Sequence, residues 1–218
     1  MAKSTAVRGG HEHQDGRRLW FVRHGETTGG SSQRYYGATD VPLSELGRMQ
    51  VGRLRRIVEA WQLRALVHSP LSRAVESAQI VARLLETPPA EFLSLEALRE
   101  VDFGRLEGLD QKEIEAAYPG FFADWRAGRA SGYPGGETSE GFRRRVGAGI
   151  DDALARFPEG DLAFVVHRGV IKAALVHLIG LEWSQVRPWS LDLGSVTGLV
   201  ALREGGWTLD RYNWIGDA

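Results

Sequence analysis

Four short runs of this sequence are apolar at nearly every position rather than at alternate positions, and they constrain the fold more than any other feature. The runs cover residues 19–22 (LWFV), 65–69 (ALVHS), 162–167 (LAFVVH) and 196–202 (VTGLVAL). Strands of this composition are buried on both faces, as in the central sheet of an α/β protein. Helical patterns lie between them, so the sequence predicts alternating strands and helices.

The helical patterns have recognisable beginnings and ends. One follows Ser44, a predicted N-cap, and places Leu46, Gln50, Leu54, Ile57, Val58 and Trp61 at helical spacing. Others are predicted over 72–85, 138–156 and 169–179. Right-handed crossovers would place these helices on both faces of the sheet. We therefore predict a three-layer α/β/α sandwich with a mostly parallel central sheet and an antiparallel edge, formed by the pair 196–202 and 207–213.

The chain is predicted to be one domain preceded by a short tail. Residues 1–17 are polar and glycine-containing, which is typical of a mobile N-terminal tail, and residues 18–218 form the domain. Within it, the stretch 101–136 breaks the alternation and is predicted to be a partly helical excursion over the functional site. Its aromatic residues are Phe103, Tyr118, Phe121, Phe122, Trp125 and Tyr133. They form either a small core of the excursion or a surface for stacking a substrate.

Composition excludes several classes of function. The chain has 27 Lys plus Arg against 28 Asp plus Glu, so no overall charge favours nucleic acid or an anionic membrane. It has no cysteine, and it has no apolar run of the roughly 20 residues that a membrane span needs. No cofactor or structural metal is predicted, since His11 and His13 lie in the tail and make a poor metal site. We expect a cytoplasmic protein, and the sequence does not distinguish a monomer from a homodimer.

Basic residues collect where the predicted strands end. Arg23 and His24 follow the first strand, Arg73 follows the second, and His167 and Arg168 follow the strand at 162–167. Ligands of parallel sheets bind beyond the carboxyl ends of the strands. Arginines, histidines and helix N-termini at one edge suit a multiply charged oxyanion. The natural ligand of such a site is a phosphoryl group.

The same residues resemble a known family, the histidine phosphatase superfamily, which is also called phosphoglycerate mutase-like. The resemblance begins with the run RHGET at 23–27 and extends over about residues 18–202. Further blocks follow in the family's order: YYGATDVPLSELG (35–47), SPLSRAVESA (69–78), LREVDFGRLEG (98–108), PGGET (134–138) and VVHRGVIKAAL (165–175). The run RHG alone would be a weak signal of the family, whereas five further blocks in the family's order are a strong one.

The resemblance implies a role for each matching residue. His24 would be the nucleophile and form a phosphohistidine, and Glu100 would be the proton donor, with Glu107 as the reserve candidate. Arg23, Arg73 and His167 would hold the phosphate, and a protonated His167 would add a third positive donor. Further residues are candidates for binding substrate: Thr27, Ser31, Ser32, Arg34, Tyr36, Gly37, Arg168 and Gly169.

The sequence departs from the family at two positions. Gly30 stands where members often have an asparagine that completes the phosphate pocket, so Ser31, Ser32 or backbone amides would have to replace it. Arg168 stands where a small or neutral residue is usual. It would either extend the pocket toward a second substrate charge or form a salt bridge with a carboxylate.

The resemblance leaves the reaction and the substrate open. The segment between Glu100 and His167 is short compared with that of mutases, which favours hydrolysis of a small phosphorylated metabolite. The block at 35–47 looks most like that of α-ribazole phosphatases. A phosphoglycerate mutase-type transfer is one alternative, and a catalytically inactive phospho-ligand-binding module is another.

Overall fold

The computed structural model describes residues 16–216, and all six of its strands belong to one sheet. The order across the sheet is β3-β2-β4-β1-β5-β6. The strands are β1 (Arg18–Arg23), β2 (Leu63–His68), β3 (Glu91–Ser94), β4 (Asp161–Val166), β5 (Val196–Ala201) and β6 (Trp207–Trp214). The predicted tail lies outside the described residues except for positions 16 and 17, and so do His11 and His13.

The sheet is parallel over four strands and antiparallel over two. Strand β4 pairs in parallel with β1 on one side and with β2 on the other, and β2 pairs in parallel with β3. Strands β5 and β6 complete the sheet in antiparallel pairing. The prediction of a mostly parallel sheet with an antiparallel edge is confirmed. Strand β3 was not predicted from the sequence because its side chains are largely exposed and carry no apolar pattern.

Eight α-helices and two short 3₁₀ helices (Glu96–Leu98 and Gly104–Leu106) are described, and three of the α-helices match the predicted spans within two residues. The helices are α1 (Glu45–Gly52), α2 (Arg55–Val58), α3 (Ser72–Leu84), α4 (Gln111–Ala117), α5 (Phe121–Arg126), α6 (Ser139–Arg156), α7 (Arg168–Ile179) and α8 (Trp183–Val186). Ser44 caps α1 as predicted, since its side chain accepts a hydrogen bond from Gly47 N. The single helix expected from Ser44 to Trp61 is wrong, because the chain turns at Arg53 and Leu54 and begins α2.

The helices cover the sheet in two layers. One apolar cluster joins Phe21, Val67 and Phe164 of the strands to α6 and α7. A second cluster joins Val22, Leu66 and other strand residues to α1, α2 and α3 on the opposite face. Successive side chains of a strand point to opposite faces, so each buried strand contributes to both clusters. This is the predicted three-layer sandwich.

The stretch 101–136, which the sequence analysis describes as an excursion, contains α4 and α5. Its aromatic rings contact one another: the Phe103 ring lies 4.8 Å from Tyr133, and the Tyr133 ring lies 4.6 Å from Trp125, between centroids. Among residues 16–216, no helix is both long and apolar enough to cross a bilayer.

Candidate active site

Three strand ends bring the two candidate histidines together. His24 follows β1, His167 follows β4, and the backbone N–H of His24 donates to Val166 O at 3.0 Å, which extends the β1–β4 pairing by one residue. The two imidazole centroids lie 5.0 Å apart. Ser69, which follows β2, completes the group through a contact of 2.8 Å between its Oγ and His167 Nε2.

The His24 imidazole is held as a neutral ring in one tautomer. Its Nδ1 lies 2.7 Å from Gly25 O, and because a carbonyl oxygen only accepts, Nδ1 carries the proton. Burial lowers the pKa of His24 well below 6.5, and the charges of Arg73 and Arg23 lower it further. With the proton on Nδ1, the Nε2 lone pair is available as a nucleophile.

Gly25 allows two loops to approach the histidine closely. A Cβ built on Gly25 would lie 2.2 Å from the backbone oxygen of Gly47, a contact that no side chain tolerates. The backbone N–H of Ser44 also donates to Glu26 O at 2.9 Å across this approach. The glycine in the RHG run is therefore required by the packing of the start of α1 against the loop that follows β1.

Arg23 lies beside His24 in a cavity of about 210 Å³. One terminal nitrogen of its guanidinium donates to Leu191 O, while its Nε is buried with no partner among the described residues. Burial lowers the pKa of Arg23 to about 9, and the neighbouring Arg168 contributes to the shift. The group therefore remains positively charged at neutral pH and is available to an anion in the cavity.

Arg73 is fully buried behind the cavity and does not line it. Its guanidinium donates to three carbonyl oxygens of one loop, those of Thr39 at 2.9 Å, Gly37 at 2.8 Å and Tyr36 at 3.2 Å. Its Nε has no partner in the described part of the chain. Burial lowers the pKa of Arg73, and the residue's charge acts on both histidines.

The surroundings of His167 disfavour the protonated form that a third positive donor would require. The ring is completely buried, and burial lowers its pKa well below 6.5, with Arg73 as the next cause. Nε2 contacts Ser69, and Nδ1 has no partner within residues 16–216. Like Arg73, His167 lies behind His24 rather than in the lining of the cavity.

Glu100 lines the cavity with His24 and Arg23, and it is only 8% exposed. Its two oxygens accept hydrogen bonds from Val101 N at 3.0 Å and from Gly169 N at 2.9 Å. A Cβ on Gly169 would lie 2.3 Å from one of these oxygens, so the glycine at the start of α7 makes room for the carboxyl group.

Glu107, the reserve candidate, has a different position. Its carboxylate accepts hydrogen bonds from the backbone N–H groups of Gly37, Ala38, Thr39 and Phe103, at 2.9 to 3.2 Å. It does not line the cavity. Glu107 thus supports the loop whose carbonyl oxygens hold Arg73, and it is not placed to transfer a proton.

The other predicted residues divide into those that line the cavity and those behind it. The lining includes Ser31, Ser32, Arg34, Tyr36 and Arg168. Thr27 lies behind it, with its Oγ1 2.7 Å from Ser31 Oγ, and Gly30 is absent from the lining. Arg34 pairs with Glu113 at 2.8 Å.

Gly37 and Gly169 act through close packing rather than by lining this cavity. A Cβ on Gly37 would lie 1.8 Å from Val101 O. Arg168 is exposed and has no salt bridge with a carboxylate among residues 16–216, so the second of the two roles expected for it is wrong.

Sequence reasoning missed the lining residues Gln33, Tyr35, Phe103 and Gln111 and two residues that support the site, Ser69 and Glu26. Ser69 ends β2 and contacts His167, but serine after a strand has no distinctive pattern. Glu26 accepts hydrogen bonds from Thr27 N at 2.8 Å and from Ser32 N at 3.2 Å, which hold the loop that contains Gly30. Its position inside the RHGET run was the available signal.

Comparison with known proteins agrees with this site. Residues 19–215 match the family model described as histidine phosphatase superfamily (branch 1). The chain is 30% identical over 195 residues to the uncharacterized phosphatase PhoE of Bacillus subtilis (strain 168), covering 88% of this chain and 92% of PhoE. It is 28% identical over 197 residues to the adenosylcobalamin/alpha-ribazole phosphatase of Salmonella typhi, covering 90% and 96%.

A solved structure gives the same result for the fold. The mycobacterial glucosyl-3-phosphoglycerate phosphatase Rv2419c, in complex with VO3, superimposes with a TM-score of 0.80 at 28% identity, covering 91% of this chain and 99% of that one. Each of these three proteins, all named as phosphatases, matches 88% or more of this chain. The chain belongs to the histidine phosphatase superfamily, and it is a phosphatase.

Proposed function

We propose that the protein is a metal-independent phosphomonoester hydrolase that acts on a small phosphorylated metabolite through a phosphohistidine at His24. The observation that carries the proposal is the state of His24: a neutral ring with Nδ1–H bonded to Gly25 O, leaving Nε2 unprotonated in a cavity beside Arg23. A neutral imidazole nitrogen is nucleophilic near pH 7 and forms a phosphoryl adduct that water can hydrolyse.

The reaction proceeds in two displacements. First, His24 Nε2 attacks phosphorus, the bond from phosphorus to the ester oxygen breaks, and Glu100, carrying a proton, donates it to the departing alkoxide. Second, water attacks the phosphohistidine and gives its proton to Glu100, and the bond from phosphorus to Nε2 breaks. Inorganic phosphate and neutral His24 result, and Glu100 is ready for the next cycle.

Charge stabilisation comes from the arginines. Catalysis of phosphoryl transfer depends mainly on positioning and on stabilising the equatorial oxygens. The Nε atoms of Arg23 and Arg73 and the Nδ1 atom of His167 are buried without a partner in the described residues. Buried polar groups almost always have partners, so we assign the Nε of Arg23, which lines the cavity, to an oxygen of the phosphoryl group. Arg73 and His167 lie behind the lining, and Arg73 acts on the phosphoryl group through its positive charge. The arginines thus supply the positive charge that a metal ion provides in many other phosphoryl-transfer enzymes.

For the substrate we propose a type of leaving group and two candidate compounds. An aromatic cavity adjoins the phosphate cavity, which supports a leaving group with a flat or apolar part. The similarity to a phosphatase named for α-ribazole makes α-ribazole phosphate one candidate. Glucosyl-3-phosphoglycerate, named for the solved relative, is another.

Hydrolysis of p-nitrophenyl phosphate in the presence of EDTA tests the proposed class of enzyme. We expect turnover that EDTA does not reduce and that His24→Ala abolishes. Absence of turnover between about pH 5 and 8, with retained phosphate binding, would instead support the inactive ligand-binding module. A phosphoglycerate assay primed with the bisphosphate covers the mutase alternative, and a transfer rate above the hydrolysis rate would overturn our assignment.

A further inference from the structure

A second cavity adjoins the phosphate cavity and has a different chemical character. Its volume is about 350 Å³, and it shares Tyr35, Glu100, Phe103 and Arg168 with the first. Aromatic residues of the excursion and of the region around α8 form its walls: Phe121, Phe122, Trp125, Tyr133, Trp183 and Trp189. An ester whose phosphorus lies beside His24 would therefore extend its alcohol part into this aromatic cavity.

Two cations project from one helix into this cavity. Arg168 and Lys172 are four residues apart in α7, so they lie on the same side of the helix one turn apart, and both line the cavity. Lys172 is only 8% exposed, and its Nζ donates to Arg187 O at 2.7 Å. An ammonium group has three protons, so two remain after this bond.

Neither cation forms an ion pair in the described part of the chain, and the charge that acts on Lys172 from a carboxylate is that of Glu100. No salt bridge joins Arg168 or Lys172 to a carboxylate within residues 16–216, and Glu100 is the only acidic residue that lines the cavity. Both oxygens of Glu100 already accept backbone hydrogen bonds. Burial, assisted by Arg168, lowers the pKa of Lys172 to about 8, so the ammonium form still predominates at pH 7. The buried ammonium group of Lys172 thus has a carbonyl oxygen as its partner but no ion-paired carboxylate, and an anion in the cavity would complete its partners.

The wall formed by the ends of α5 and α8 is held in place by hydrogen bonds. The guanidinium of Arg187 donates to the carbonyl oxygens of Trp125 and Arg126, which ties the end of α5 to the end of α8. Lys172 joins the same connection through Arg187 O. The aromatic wall and the cations are thus positioned before a ligand arrives, and a preformed site loses less free energy to ordering on binding.

From this arrangement we propose that the aromatic cavity binds the alcohol part of the substrate and selects a flat or apolar leaving group that carries a second anion, bound between Arg168 and Lys172. The inference rests on the proposed hydrolase function. It names the substrate class: a phosphate monoester whose leaving group has an aromatic or otherwise apolar body and an additional acidic group. A purely structural role for Lys172, holding the end of α8, would give no preference for charge in the leaving group.

Two synthetic esters of equal shape provide the test: 6-carboxy-2-naphthyl phosphate and its 6-carboxamide. We expect the wild-type kcat/KM to favour the carboxylate by about tenfold, since a charge-assisted pair is the strong class of polar contact. Lys172→Met and Arg168→Met should each reduce this preference toward one. Lys112→Met makes the same change of charge on an exposed position of α4 and should keep the wild-type ratio.

The outcomes separate this proposal from the proposed function. Turnover of both esters with a wild-type ratio of one or less, or with an unchanged ratio in both variants, would overturn the anion subsite. Lys172 is buried, so Lys172→Met could fail to fold. Arg168 is exposed, so Arg168→Met should fold and measures the carboxylate preference in that case. If neither ester is hydrolysed, the hydrolase assignment fails, and binding of the alcohols then tests the subsite. Tighter wild-type binding of 6-hydroxy-2-naphthoate than of its amide would support it, and equal binding would overturn it.

Discussion

Replacing Glu107 by glutamine separates the role of this residue from that of Glu100. The Glu107 carboxylate accepts hydrogen bonds from four backbone N–H groups, and the loop that it holds provides the carbonyl oxygens that bind Arg73. Glutamine keeps the size of the side chain but replaces one acceptor oxygen with an NH₂ donor. At least one of the N–H groups then faces another donor, and the loop no longer holds its position.

The size of the effect follows from the bonds that are lost. A hydrogen bond to a charged acceptor contributes about 1.5–3 kcal/mol, and bonds that share one acceptor are less than additive. We expect Glu107→Gln to lower the free energy of unfolding by about 3 kcal/mol. A domain of this size loses about 2–4 °C of Tm per kcal/mol, so the expected decrease is roughly 6–12 °C.

Glu107→Gln should lower kcat/KM by a similar factor for all substrates. Displacement of Arg73 weakens binding of the phosphoryl group, which every ester shares, so kcat/KM should decrease by about tenfold regardless of the leaving group. Glu100→Gln should instead slow alkyl phosphates by about a hundredfold or more, with a much smaller effect on p-nitrophenyl phosphate, whose leaving group needs no proton. Calorimetry and a series of aryl and alkyl esters measure both quantities.

Glu86→Gln, at an exposed position after α3, is the matched control and should leave both Tm and rates unchanged. A Glu107→Gln protein with wild-type Tm and a steep dependence on the leaving group would show that the proton donor has been assigned to the wrong carboxyl group.

Two further predictions concern packing and pH. Gly169→Ala places a methyl group against the carboxyl of Glu100 and should slow hydrolysis of alkyl esters by at least tenfold. Gly52→Ala, at a position with open space around the added methyl group, should not slow it. Equal rates in the two variants would contradict the assigned contact. His24 and His167 have folded pKa values below 6.5, so the unfolded chain binds more protons in acid. Stability should therefore be fully present above about pH 6.5 and decrease below it by about 1.4 kcal/mol per pH unit for each ring. Urea unfolding between about pH 7 and 5 measures this slope, and a flat profile would contradict it.

The sequence predicted those parts of the fold that depend on side-chain burial. The strand ends that carry His24 and His167 follow continuous apolar runs, and such runs are a direct consequence of a sheet covered on both faces. Strand β3 escaped prediction because its pairing with β2 uses backbone hydrogen bonds while its side chains stay exposed. The break between α1 and α2 was not predicted, because α1 ends at Gly52 while the apolar residues continue at helical spacing.

The site was less predictable where side chains contact the backbone. Glu107 binds N–H groups and Arg73 binds carbonyl oxygens, and neither kind of partner leaves a signature in the sequence. The charge state of His167 depends on burial beside Arg73, which is a property of the folded chain alone. The sequence could nominate residues for the site, whereas their separation into lining and supporting positions required the three-dimensional arrangement.

The most direct test of the mechanism is to find where the phosphoryl group is bound during turnover. Rapid quenching of the wild-type protein with a radiolabelled phosphate ester, followed by peptide mass spectrometry, identifies the modified residue. We expect an acid-labile, alkali-stable phosphoryl adduct on His24 that is absent from His24→Asn and that decays as inorganic phosphate appears. An adduct on another residue such as His167, or turnover at full rate with no protein-bound phosphate at any time, would contradict nucleophilic catalysis by His24.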